Sequence, residues 1–176
     1  VESNKSILYE DDRILVVWSS EGYFSDTVFI TFGDLLLKPD GKRFFAEKPL
    51  NKIGISSVGI VSKDNGWYQG DSLLKAYNVV ESILKNFSNR ILYGGSMGGY
   101  AAIKFSRLFS ATHVLSLCPQ WSLDPDEWGR GGFGFEEHFN DSMRGMGIKK
   151  EDVSGAVYVF TDRFDRNDFD HFLKIK

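Results

Sequence analysis

A chain of 176 residues, 42% hydrophobic and 26% charged, is long enough to bury one sizeable core and too short for two ordinary domains, so a single domain over 1–176 is expected. A net charge of -3 and a pI near 5.6, with Lys and Arg scattered along the chain, exclude the basic footprint of a nucleic-acid binder. No run approaches the ~18 apolar residues of a membrane span, and no metal or cofactor motif survives scrutiny. The single Cys118 excludes an internal disulfide and fits a reducing, cytoplasmic setting.

Residues 6–10 and 13–18 read as two strands of a hairpin turning at Asp11 and Asp12, followed by a polar connection over 19–26. Thr27–Phe32 is nearly all β-branched or aromatic and reads as the next strand, ended by Gly33 and Asp34. The stretch 35–51, broken by Pro39, Gly41 and Pro49, reads as loop with room for a short helix. Residues 53–61 read as a strand, and 62–70 as a turn-rich loop holding Trp67 and Tyr68. Asp71 and Ser72 supply an N-cap for a helix in which Leu73, Leu74, Tyr77, Val80, Ile83 and Leu84 recur at helical spacing to about Phe87. Ile91, Leu92 and Tyr93 form a short buried strand, and the helix opened by Ala101, Ala102, Ile103 and Phe105 runs to about Phe109.

Residues 112–117 give a further strand, stopped by Pro119. The stretch 120–154, rich in Gly, Trp and Phe, reads as an irregular, lid-like insertion with a helix near 136–143. Ala156–Phe160 is the last clear strand, and 161–176 is weakly helical with several acids and His171. Strands alternating with helices after an opening antiparallel hairpin predict an α/β fold: a mostly parallel sheet with helices on both faces. Functional groups then gather beyond the carboxyl ends of the parallel strands, on loops starting at Gly33, Ser62, Gly95, Cys118 and Thr161.

One of those loops carries a motif. Gly94-Gly95-Ser96-Met97-Gly98 fits G-x-S-x-G between a strand and a helix, the nucleophile elbow in which a cramped turn pushes one hydroxyl clear of the backbone. Only glycine lets neighbouring segments crowd such a turn. The first amides of the following helix then face whatever attaches to the serine oxygen, so the Met97 amide is a candidate oxyanion donor. The alternative is a glycine-rich turn holding an ordinary surface serine.

A serine hydroxyl needs a base, usually a histidine oriented by a carboxylate. Of three histidines, His113 opens its strand and belongs at the wrong edge of the sheet, and His138 lies in the irregular stretch. His171 follows the last strand and the acids Asp162, Asp165, Asp168 and Asp170, and is the best candidate present. Asp162, at the strand's carboxyl end, is the first candidate for the orienting acid, with Asp165 and Asp168 as substitutes.

The elbow wording 93–100, the Asn65-Gly-Trp-Tyr68 loop, the stretch 117–125 and the closing Asp162, Asp168 and His171 resemble the α/β-hydrolase superfamily over most of the chain. Within it they are similar to small bacterial serine esterase-like hydrolases, some linked to surface-polysaccharide synthesis. The resemblance implies Ser96 as nucleophile, Asp162 as acid, and an oxyanion hole from the Met97 amide and that of Gly33 or Asp34. It departs in two places: no His-Gly pair follows Phe32, and His171 comes early, which leaves open a base from outside these 176 residues. Trp67, Tyr68, Trp121 and Trp128 lie on loops expected to border the site, where aromatic faces suit sugars or acyl groups; loop anchoring is the plainer role.

The reaction implied is cleavage of a carboxylic ester on a small-molecule or glycan substrate through an acyl-enzyme, with no cofactor. Two alternatives stand beside it, an inactive binding module for glycans or proteins and an acyltransferase. Gly129 to Gly134 fits G-x-G-x-x-G, but no strand–helix unit frames it, so a mobile loop explains it better than dinucleotide binding. Cys118, flanked by Leu117 and Pro119 with no helix behind it, reads as packing.

Overall fold

The computed structural model describes residues 4–20 and 25–176, so part of the polar connection expected over 19–26 lies outside the described residues. Among these residues seven strands form one sheet: β1 (Lys5–Glu10), β2 (Ile14–Ser19), β3 (Thr27–Phe32), β4 (Ser57–Ser62), β5 (Asn89–Gly95), β6 (His113–Leu117) and β7 (Ala156–Phe160). Their order is β1-β2-β4-β3-β5-β6-β7. The opening hairpin is antiparallel and β2 pairs antiparallel with β4, while β4, β3, β5, β6 and β7 all run parallel. This is the α/β architecture expected, and it brings the ends of β3, β5, β6 and β7 to one rim.

The period-two alternation of the strands decides which side chains each face buries. Ile14, Val16, Val28, Ile30, Phe32, Val58, Ile60, Leu92 and Val114 point to one face and make the main core with α2 (Asp71–Leu84) and α3 (Met97–Lys104). Leu15, Val17 and Val61 point the other way, into a smaller cluster closed by Phe44. Helix α1 (Glu47–Lys52) lies on that second side, where Asn51 accepts from the Ser19 hydroxyl. Phe44 packs so tightly on Gly59 that a Cβ there would lie 2.1 Å from its ring.

Several boundaries differ from the sequence reading for local reasons. Strand β4 starts at Ser57 rather than 53, because Gly54 at φ 70° and the Ile55 amide bonding the Leu50 carbonyl belong to the end of α1. Gly70, at φ 94°, is the N-cap of α2, and Asp71 is its first-turn acid. Helix α3 stops at Lys104, where Ser106 Oγ donates to the Ile103 carbonyl and accepts from the Ser154 amide. The helix expected near 136–143 is two short 3₁₀ turns, Glu136–His138 and Asp141–Met143.

The stretch 120–154 also contains α4 (Pro125–Trp128), capped by the Asp124 carboxylate. It is tied down by bonds between side chains and backbone. Glu127 accepts from the Gly147 amide, Asp124 from the Gly145 amide, and Tyr100 Oη donates to the Met146 carbonyl at 2.6 Å. The chain closes with α5 (Arg166–Ile175), capped by Asp165.

Candidate active site

At the β5–α3 junction Ser96 has φ 51° and ψ -122°, a conformation outside the usual regions for a side-chain-bearing residue. Both its backbone groups are held: the amide donates to the Leu117 carbonyl at 2.8 Å and the carbonyl accepts from the Tyr100 amide at 2.9 Å. Crowding explains the neighbouring glycines. A Cβ on Gly94 would lie 2.3 Å from the Gly98 carbonyl oxygen, and one on Gly98 would lie 2.3 Å from that of Phe32. The start of α3 is thereby pressed against the end of β3. Met97 is the first residue of α3, so its amide has no carbonyl one turn back to bond.

The Ser96 hydroxyl meets Gln120, a residue the sequence reading did not single out. Gln120 Nε2 lies 3.2 Å from Ser96 Oγ, and Gln120 Oε1 accepts from Trp67 Nε1 at 3.2 Å. Its one sequence signal was position: it stands just past the end of β6, on the rim where the loops converge.

Gly33 is not placed to serve an oxyanion. Its amide donates to the Ile60 carbonyl at 2.9 Å, continuing the β3–β4 ladder, and its carbonyl accepts from Tyr68 Oη at 2.7 Å. The Asp34 carboxylate folds back onto the amides of Leu36 and Leu37.

His171 is completely buried and does not bond Ser96. Its Nδ1 accepts from the Trp121 amide at 2.9 Å, and its ring meets Trp128 edge to face at 5.0 Å. Nε2 has no properly aligned partner, although the Phe133 backbone is near enough to favour a proton on the ring. Burial prevails and pushes the imidazole pKa down to about 4. Asp162 is exposed, with Oδ1 accepting from the Phe164 amide at 2.8 Å, so the structure does not bring Asp162, His171 and Ser96 into one hydrogen-bonded chain. Asp165 caps α5 through the Asp168 amide. Asp168 reaches the Cys118 thiol; burial raises the carboxyl's pKa, and burial followed by that carboxylate raises the thiol's.

The other two histidines lie elsewhere. His113 is exposed at the start of β6, and His138 packs beside Trp67 with ring centroids 5.5 Å apart.

The aromatic residues expected at the site are mostly anchors. Trp67 and Tyr68 are buried, each with its polar tip bonded. Trp121 is half-buried, donates to the Ile148 carbonyl, and lies under Lys174 Nζ at 5.0 Å. A cavity of about 440 Å³ lies at the far end of α3, floored by Ile103, Val153 and Val157 rather than by Ser96 or its neighbours. Among the described residues no cluster of His, Cys, Asp and Glu is arranged to hold a metal ion, and no helix is long and apolar enough to cross a membrane.

No family model matches the chain, and no curated protein does. Solved structures match its fold. The capsule O-acetyltransferase of Neisseria meningitidis serogroup A superposes with a TM-score of 0.64 at 12% identity, over 94% of this chain and 77% of that one. The S-formylglutathione hydrolase of Staphylococcus aureus gives 0.56 at 15% identity, over 98% and 86%. A chain of the glycosylation-associated Gap123 complex from Streptococcus agalactiae gives 0.59 at 13% identity, over 98% of this chain and 33% of that one. At 12–15% identity the likeness to these structures is one of fold: a mostly parallel sheet flanked by helices, which in this chain carries Ser96 on the bend between β5 and α3.

Proposed function

We propose that the chain is a serine-dependent acyl-transfer enzyme that attacks a carboxylic ester with Ser96 and passes the acyl group to water or to a second hydroxyl. The observation that carries this reading is the strained serine on the bend between β5 and α3, with the free Met97 amide beside it. As Oγ bonds to the carbonyl carbon, the carbonyl electron pair moves onto its oxygen and the hydroxyl proton passes to a general base. Collapse expels the alcohol, and the acceptor hydroxyl then releases the acyl group by the same steps in reverse. Structural likeness to a hydrolase and to a capsule O-acetyltransferase supports both acceptors and makes glycan esters the first substrates to try.

A second reading is an inactive module that binds glycans or proteins on the same fold. One observation favours it: no histidine among the described residues hydrogen-bonds Ser96, and His171 is engaged with Trp121. A fluorophosphonate probe separates the two. Under the first reading it adds one adduct to the wild type and none to Ser96→Ala, located on Ser96 by peptide mass. Absence of an adduct on both proteins decides for the second.

A further inference from the structure

Among the described residues Ser96 Oγ has one side-chain hydrogen-bond partner, and the chemistry of that partner is fixed by a third residue. An indole N–H can only donate, so the bond from Trp67 Nε1 requires the oxygen of the Gln120 amide to face Trp67. The nitrogen of the same amide therefore faces Ser96, and Oγ receives a hydrogen bond from Gln120 Nε2 at 3.2 Å. The orientation of this amide is dictated by its neighbour rather than chosen. Both partners are rigidly placed: Gln120 is 1% exposed and Trp67 fully buried, packed beside Phe135 and His138.

An amide N–H accepts no proton, so Gln120 is no base for the serine. What it offers is a fixed dipole aimed at the oxygen through which negative charge passes. Oγ gains charge as its proton is withdrawn ahead of bond formation, and again when the bond from Oγ to the acyl carbon breaks and its electron pair returns to oxygen; between the two the charge sits on the carbonyl oxygen. A preorganised, buried donor stabilises the charge on Oγ without having to reorganise.

We propose that Gln120 is a catalytic hydrogen-bond donor to the reacting oxygen of Ser96, and that Trp67 is a positioning residue that holds the Gln120 amide in its donating orientation. The proposal rests on the reading of Ser96 as nucleophile. It places a donor from the loop after β6 on Oγ, distinct from the Met97 amide at the start of α3, which serves the carbonyl oxygen.

The test is the second-order rate of Ser96 modification by an alkyl fluorophosphonate, followed by intact mass between about pH 5 and 9. Phosphorus takes Oγ, fluoride leaves, and the hydroxyl proton passes to water or buffer. Gln120→Met, which keeps the length but not the donor, is expected to react roughly 100-fold more slowly than the wild type. Trp67→Phe is expected to react more slowly as well, because the amide is then free to turn its oxygen toward Ser96.

Gln120→Glu supplies the readout that a structural role would not move. Its neutral carboxyl can accept from Trp67 and donate to Ser96 as the amide does, whereas its carboxylate can only accept. Burial at this position raises the carboxyl pKa above the ordinary carboxylate range and into the window, so the labelling rate is expected to fall with rising pH through it, relative to the wild type. Both forms belong to one folded protein, so this comparison stands even if Gln120→Met does not fold.

Labelling of Gln120→Met within about threefold of the wild type, or a Gln120→Glu profile parallel to the wild type, overturns the role of Gln120 while leaving Ser96 as nucleophile. Absence of any adduct on wild-type Ser96 overturns the nucleophile reading and this one with it.

Discussion

At the scale of single residues, Ser96 concentrates the cost of the site. A non-glycine residue held at φ 51° and ψ -122° carries about 1–3 kcal/mol of strain, retained because the bonds to Leu117 and Tyr100 hold both its ends. Ser96→Gly and Ser96→Ala both remove the hydroxyl, and only the first removes the strain. The glycine variant is therefore expected to unfold about 2–8 °C above the alanine variant in a thermal scan, at a strain relief of ~1–2 kcal/mol. Equal midpoints would mean that the bend is not strained. The G-x-S-x-G spacing made this position legible, since its first and last glycines, Gly94 and Gly98, are ones whose Cβ atoms would strike backbone. Gln120 was not legible, because nothing in Cys118-Pro119-Gln120 says which way an amide points. That information lies in Trp67, on the loop after a different strand.

At the scale of elements, α5 is held by a histidine rather than supplying one to Ser96. His171 accepts from the Trp121 amide and packs on Trp128 and Phe133, fastening the last helix to the stretch after β6. Its pKa is lowered from 6.5 to about 4, so the unfolded chain binds a proton in this window that the folded one refuses. Stability contributed by the neutral ring is complete above pH 6.5 and is lost as pH falls toward 4, by up to ~3 kcal/mol. Asp170 and Glu136 nearby favour the proton and Arg130 opposes it, but burial outweighs all three. Urea unfolding at steps between pH 7 and 4.5 is expected to show the wild type losing stability relative to His171→Asn, which keeps an acceptor for Trp121 but does not titrate there. Parallel curves would refute the assignment.

Order along the chain made His171 the natural base, yet order does not report burial. An apolar pocket built by Trp128 and Phe133, some forty residues earlier in the chain, decided the matter. The strands were far easier to read: Thr27–Phe32 and Ala156–Phe160 have the bounds that their β-branched and aromatic residues predict. The weak points were ends set by a single glycine or serine, such as Gly54 and Ser106.

At the scale of the whole molecule, the sheet is finished differently at its two margins. The β1–β2 hairpin closes one, while β7 is last in order at the other. The Ala156 amide bonds Thr112 and the Phe160 carbonyl accepts from Cys118, so the intervening Val157 and Val159 turn their backbone groups outward. Tyr158 and Phe160 stand on the adjoining face 51% and 56% exposed. An apolar, uncovered margin of this kind favours pairing between chains. Tyr158→Lys with Phe160→Lys is expected to reduce light scattering during refolding while changing stability by no more than about 1 kcal/mol. Unchanged scattering would show that this margin does not drive association.

The strand order also bears on how the polypeptide is made. In the sequence β2-β4-β3-β5, both partners of β3 are translated after it. At synthesis rates of roughly 5–20 residues per second, the interval between Phe32 and Gly95 leaves Thr27–Phe32 without its second neighbour for roughly 3–13 seconds. One of the most hydrophobic segments of the nascent chain is therefore among the slowest to find shelter, which makes the synthesis of residues 33–95 the period when holding by a chaperone matters most.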